Sequence, residues 1–196
     1  TRARRSPGST LKPFIYALAL DQGLIHPLTL LADTPRSFSG YDPENYDGSF
    51  RGPIAAADAL RTSRNVPAIA LAARLKNPNF YSFLRSADVE FLSDENHYGL
   101  SLVLGGAEVT MRELAGLYAM LANRGVWRPL QIMHATGREG KALPLLSPEA
   151  AFVTLSMLED GDPDHQVRSQ GGTVLPLRIK TGTSNGFRDA WAAGIV

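Results

Sequence analysis

The chain has 196 residues, 44% of them hydrophobic and 20% charged, with 20 Lys and Arg against 19 Asp and Glu. That is the composition of one globular domain with a sizeable core rather than of a disordered or membrane-spanning chain, and its near-zero balance offers no global field to nucleic acid or an anionic surface. The absence of cysteine excludes a disulfide, a thiolate nucleophile and a thiolate-held metal.

Arg2, Arg4 and Arg5 form the densest basic run and read as a solvated strand end. No apolar stretch reaches the roughly 18 residues of a transmembrane helix, and no signal-peptide core follows the first arginines. Pro13 to Leu20 carries Phe14, Ile15, Leu18 and Ala19 ahead of Gly23, which predicts a buried helix beginning at or just before Pro13. Asp33 to Pro53 is crowded with Pro, Gly, Ser, Asp and Asn and holds Phe38, Tyr41, Tyr46 and Phe50, so a long, ordered and functional loop is expected. Pro53 is expected to open an Ala-rich helix to about Arg61, and Pro67 another through Leu75, with Ser63-Arg64-Asn65 on the loop between them. Thr110 and Glu113 form a capping box before a helix through Leu114, Leu117, Tyr118 and Leu121 that stops at Gly125. Ser147-Pro148 caps a further helix to about Leu158. Finally R-I-K-T-G-T-S and A-W-A-A-G-I-V predict two strands joined by the turn N-G-F-R-D. Helices first and strands last give an α+β fold class.

Four histidines, His26, His97, His134 and His165, are scattered without metal-ligand spacing, so neither a metal nor a cofactor is expected. No phosphate loop and no G-x-S-x-G elbow occurs. Three patterns remain, each present once: Ser9-Thr10-Leu11-Lys12, Ser63-Arg64-Asn65 and Lys180-Thr181-Gly182. S-x-x-K alone has two fixed positions, and a chain of this length contains on the order of one by accident. Locally Ser9 is as good a helix cap as a nucleophile. The joint presence of all three patterns, at a helix start, an interhelical loop and a strand, is what raises the catalytic reading above the cap. Arg64 fills the variable position of S-x-N and is given no catalytic part; Tyr41, Tyr46 and Trp191 are read as packing residues, and Gly105-Gly106 as a turn.

With R-x-P-G-S-T-x-K-P-F, Y-D-P-E-N-Y-D-G, A-L-R-T-S-R-N-V-P-A, L-G-G-A-E-V-T-M-R-E-L-A and K-T-G-T-S, the chain resembles the penicillin-binding protein transpeptidase family. The resemblance covers nearly the whole chain and is closest to the bifunctional class A peptidoglycan synthases, in particular their C-type branch. It implies the penicillin-binding protein/serine β-lactamase-like fold, an antiparallel sheet flanked by helices. It also implies that residues 1–196 are a single transpeptidase domain truncated at both ends, incomplete as a catalyst. The missing strands, the glycosyltransferase and an N-terminal membrane anchor would belong to a parent on the periplasmic face of the bacterial inner membrane.

A serine hydroxyl needs a base within reach. On a helical first turn residues i and i+3 share a face, and Pro13 cannot donate back to Ser9, which favours a tight turn with Lys12 beside Ser9. Lys12 must be neutral to take the proton, so its pKa has to fall from about 10.4 by burial or a nearby cation such as Lys180. The resemblance implies that Ser63 and Asn65 complete the proton path. It further implies that Lys180, Thr181, Gly182, Thr183 and Ser184 bind a D-Ala-D-Ala stem peptide, and that the N–H groups of Ser9 and Thr183 form an oxyanion hole. β-Lactam antibiotics would imitate the donor. A D,D-carboxypeptidase, a serine β-lactamase and a non-enzymatic β-lactam or peptide sensor are the rival readings. No glutamate follows S-x-N in a recognisable deacylating loop, which disfavours the β-lactamase.

Overall fold

The computed structural model describes residues 2–38, 40–91, 93–131, 141–159, 167–168, 172 and 174–196. Strand β1 (Arg4–Arg5) leads through a 3-10 turn at Gly8–Leu11 into helix α1 (Lys12–Asp21). Then come β2 (Leu30–Asp33), β3 (Gly52–Ala55), α2 (Ala56–Arg61), α3 (Asn65–Ala72), α4 (Phe80–Ser86) and α5 (Glu95–Tyr98). A 3-10 stretch at Gly99–Leu104, β4 (Val109–Thr110), α6 (Met111–Ala122), β5 (Val126–Trp127), β6 (Leu143–Pro144) and α7 (Pro148–Leu158) follow. The chain closes with β7 (Val167–Arg168), β8 (Val174–Leu175), β9 (Arg178–Thr183) and β10 (Ala190–Ile195).

Helix α1 is the axis of the domain. Its sequence K-P-F-I-Y-A-L-A-L-D is apolar on every side, and every residue from Lys12 to Ala19 is buried, as expected of a helix with no solvent face. It packs against α3 and α7. Each large apolar side chain buried there contributes about 1.5–3 kcal/mol. Helix α6 is amphipathic instead, burying Leu114, Leu117, Tyr118 and Leu121, and its start carries the expected Thr110–Glu113 capping box. Tyr118 fastens α6 to the turn ahead of α1, donating from its hydroxyl to Thr10 O at 2.9 Å and standing edge-on to Phe14.

The strands pair antiparallel in twos among the described residues: β1 with β4, β2 with β3, β5 with β6, β7 with β8 and β9 with β10. The β9–β10 hairpin is the longest, in register from Thr183 opposite Ala190 to Arg178 opposite Ile195. Among the described residues the other edge of β9 pairs with no strand and carries one isolated bridge, from Arg178 to Glu159.

Several expectations need correction. Pro53 lies within β3, opposite Ala32, and the helix begins only at Ala56. The first amides of α2 are met by Thr29 O and Pro27 O at 2.9 Å, so the chain starts the helix where tertiary acceptors wait. Asn65 is the first residue of α3 rather than a loop residue, and Pro67 sits in that helix's first turn. The run Arg2-Arg4-Arg5 is not uniformly solvated. Arg4 is mostly covered and paired with Glu113 at 3.0 Å and Glu90 at 3.2 Å. Strands also precede the helices, since β1, β2 and β3 are too short to show an alternation in sequence. Helices α4 and α5, whose starts are capped by Asn79 and Asp94, went unforeseen.

Candidate active site

The turn that carries Ser9 is built by close approach of backbones. Gly8 has φ +52°, and a Cβ there would lie 2.6 Å from Thr183 O and 2.8 Å from Thr183 N. A side chain on Gly182 would run into Pro7 O, and one on Gly105 into the amide nitrogen of Gly8. Three glycines thus let the serine turn, the β9 strand and the 99–106 segment approach closer than any Cβ allows. Gly182 therefore serves the chain's own turn, and Gly105 is a support for that turn as well as a bend in its own loop. Thr10 closes the turn, donating from Oγ1 to Pro7 O at 2.8 Å.

Because the turn is 3-10, Lys12 follows Ser9 by one tight turn, its backbone N–H donating to Ser9 O. Ser9 is half-buried at the floor of a cleft of about 880 Å³, whose lining includes Ser63, Asn65, Thr181, Gly182 and Thr183. Among the described residues the Ser9 side chain takes no hydrogen bond. Lys12 is 0% exposed, and its Nζ donates to Asn65 Oδ1 and to Ser63 O, both at 2.6 Å, with Ser63 Oγ at 3.4 Å. Lys180 comes from β9 and donates to Ser63 Oγ at 2.9 Å and Thr181 O at 3.0 Å. The Ser63 hydroxyl therefore stands between the two lysine amines.

Electrostatics follow from that enclosure. Burial, then the charge of Lys180, then that of Arg64 push the Lys12 pKa well below the ordinary lysine value, against the opposing pull of Asp33. Burial alone brings Lys180 down to about 8. Of the remaining K-T-G-T-S residues, Thr181 and Thr183 are exposed on the cleft side of β9. Ser184 is buried, its hydroxyl accepting from the Asp189 N–H at 2.8 Å. The five motif residues Ser9, Lys12, Ser63, Asn65 and Lys180 are brought together although up to 171 positions separate them in sequence, from Ser9 to Lys180.

Residues that sequence reasoning passed over also meet here. Arg64 is buried, and its guanidinium bonds Asp33 at 2.7 Å, Asp47 at 2.8 Å and the Ser49 carbonyl. Tyr41 and Tyr46 are not packing residues but cleft wall, and Tyr46 is 77% exposed. It meets Phe187 across the cleft edge-on, 5.9 Å between ring centres. Trp191 does pack against the core. The signal for the wall was present in D-P-E-N-Y-D, three acids and an amide in one loop, with Arg64 downstream in S-R-N. His26 and His97 are exposed; His134 and His165 lie outside the described residues.

An S-x-x-K turn, an S-x-N loop and a K-T-G strand converging on one cleft, with helices around antiparallel strands, define the class of penicillin-binding folds. Residues 1–196 match the family model of the penicillin binding protein transpeptidase domain, and the chain belongs to that family. It is 40% identical over 192 residues to penicillin-binding protein 1C of Escherichia coli (strain K12), a match covering 97% of this chain and 24% of that protein. It is 28% identical over 213 residues to penicillin-binding protein 1F of Bacillus subtilis (strain 168), covering 98% of this chain and 29% of that one. The chain thus spans about a quarter of the length of these curated relatives. Among solved structures, the penicillin-binding protein PonA1 from Mycobacterium tuberculosis superposes with a TM-score of 0.80 at 22% identity, over 100% of this chain and 58% of that one. A peptidoglycan glycosyltransferase from Burkholderia ambifaria gives 0.78 at 21%, over 98% and 68%. The family and fold expected from the motifs are both borne out.

Proposed function

We propose that this chain is the catalytic domain of a D,D-transpeptidase that cross-links peptidoglycan stem peptides through an acyl-enzyme on Ser9. The observation that carries the reading is the state of Lys12. It is wholly buried, beside a second lysine, and commits two N–H donors to carbonyl oxygens at 2.6 Å. A neutral amine so held keeps its lone pair for a third direction, and Ser9 Oγ lies one tight turn away. Lys12 would take the Ser9 proton as Oγ attacks the carbonyl of the penultimate D-Ala, leaving a tetrahedral oxyanion. The N–H groups of Ser9 and Thr183 would hold that charge, supported by the close approach of the Thr183 backbone to the serine turn.

Collapse breaks the peptide C–N bond, and the proton passes to the departing D-Ala along Lys12, Ser63 and Lys180. An amine of a second stem peptide then attacks the ester, forms the cross-link and restores the Ser9 hydroxyl. The donor would lie along the edge of β9 opposite β10, beside Thr181 and Thr183, as an added strand. Lys180, Thr181 and Thr183 would receive its terminal carboxylate, with Gly182 and Ser184 keeping the strand and its turn in place. A β-lactam would acylate Ser9 in the same way, but its leaving nitrogen stays tethered. No cofactor enters this chemistry. Among the described residues no helix is long and apolar enough to cross a membrane, and the substrate would place the enzyme on the periplasmic face of the bacterial inner membrane.

Among the described residues Asp47 is the acid that lines the cleft, and Arg64 occupies its carboxylate. That favours a lasting acyl-enzyme over the rapid hydrolysis of a β-lactamase. Intact-mass measurement of the full-length protein after exposure to penicillin tests this. A stable adduct of one drug molecule, abolished in Ser9→Ala, is the expected result; turnover of drug without adduct points to a β-lactamase, and no reaction removes the proposal.

A further inference from the structure

Between Ser63 and Asn65, the first residue of α3, stands a side chain that makes no hydrogen bond to Ser9 or Lys12. Ser63 stands at φ +60° between the end of α2 and the start of α3, a backbone state that persists only where surroundings enforce it. Helix α3 has no side-chain cap of its own, since Arg64 occupies the cap position. Its first amide instead donates to Asn45 Oδ1 at 2.7 Å. Asn45 Nδ2 in turn reaches Asp33 at 2.7 Å and the Ser49 carbonyl at 2.9 Å. The Asn65 amide donates to Glu44 O at 2.6 Å, which leaves Asn65 Oδ1 as the end that faces Lys12. Apart from Lys12 itself, the groups that bond Asn65 thus come from the loop between β2 and β3.

Arg64 fastens that loop. Its Nε pairs with Asp33, which is 0% exposed at the end of β2, while the two terminal nitrogens take Asp47 and the Ser49 carbonyl. We propose that Arg64 is a positioning residue, which clamps Asp33 and Asp47 so that the 44–49 loop holds Asn65 and Ser63 against Lys12. The proposal deepens, and for its kinetic test rests on, the transpeptidase reading. It gives the variable position of S-x-N a definite task in this chain: joining the tyrosine-bearing wall of the cleft to the groups that hold the base. A lysine at 64 has a single nitrogen and cannot span the three acceptors that Nε and the two terminal nitrogens of Arg64 reach in one plane.

The test uses Arg64→Lys and Asp47→Asn in the full-length protein, with penicillin as the probe. Adduct formation is followed against drug concentration, so that the rate at saturation separates from the half-saturating concentration. Arg64→Lys is expected to fold and to lower the saturated rate about tenfold or more, with half-saturation changed less than about threefold. Asp47→Asn, at the half-exposed end of the clamp, lowers the same rate about threefold, and the double variant loses less than the product of the two because both act through one clamp. A folded Arg64→Lys whose saturated rate stays within about twofold of the parent overturns the proposal. If Arg64→Lys does not fold, Asp47→Asn decides alone, and an unchanged rate there overturns it. Crystal structures of the unacylated parent and of Arg64→Lys, or of Asp47→Asn if the former does not fold, give a readout independent of acylation. The distance from Lys12 Nζ to Asn65 Oδ1 must lengthen beyond hydrogen-bond range in the variant, and a hydrogen bond that persists there overturns the proposal whatever the kinetics. If the parent is not acylated but the variant's Lys12 and Asn65 have moved apart, the clamp stands and the transpeptidase reading is removed.

Discussion

Two regions of this cleft solve the same task by opposite means. The Ser9 turn is placed by shape. Gly8, Gly105 and Gly182 let three backbones touch, and the helix behind the turn is buried from Lys12 to Ala19. The Ser63–Asn65 segment is placed by polar bonds instead, through Asn45, Asp33, Asp47 and Arg64. Packing resists displacement because any shift opens a void or a clash. A buried polar network holds only while every member is satisfied. The first region should therefore fail by steric insult, and the second by loss of a single partner or a change of charge.

The sharpest way to separate the two is Lys12→Met, which keeps the packing of α1 but removes the partner that both regions share. Adduct formation with penicillin should drop by about 10²–10⁴-fold, the range for a missing general base. Stability measured by urea unfolding should stay within about 2 kcal/mol, since relief from burying the amine offsets the two acceptors left unpaired. A variant that keeps its acylation rate would show that another group takes the Ser9 proton.

A steric insult comes from Gly8→Ala. The added Cβ would meet the Thr183 backbone, and φ +52° would be strained for alanine. Unfolding in urea should show a loss of about 2–4 kcal/mol, and acylation should fall with it. Unchanged stability would mean that the turn and β9 separate freely, against the shape-determined reading of this region.

The smallest effect concerns charge. Lys12 accepts a proton only when neutral, so acylation should rise with pH as Lys12 deprotonates. The fall in its pKa, due to burial and then Lys180 and Arg64, moves that rise down from the ordinary lysine range. Lys180, brought down to about 8 by burial, loses its charge above that pH, and the donor carboxylate with it, so the rate should decline again. The two limbs belong to a coupled pair. Lys180→Met should move the acid limb to higher pH, because one cation no longer opposes protonation of Lys12, and should abolish the alkaline decline. A pH profile identical to that of the parent would rule out this electrostatic link.

By itself the sequence determined a good deal. The apolar run after Pro13 could only be a buried helix, and the proline after Lys12 made the turn tight. Thr110 and Glu113 could form their capping box from local spacing alone, and the K-T-G-T-S hairpin followed from its own alternation and turn. All of these rest on residues within a few positions of each other. The family resemblance added which serine and which lysine to watch. Tertiary structure alone decided where α2 begins, because its first amides are met by Thr29 and Pro27 rather than by a cap residue. It likewise decided that Arg4 is covered, that Tyr46 faces the cleft and that Arg64 joins Asp33 to Asp47. Whether a charge is solvated or paired depends on what the fold brings within about 3 Å of it, and no periodicity in the chain records that distance.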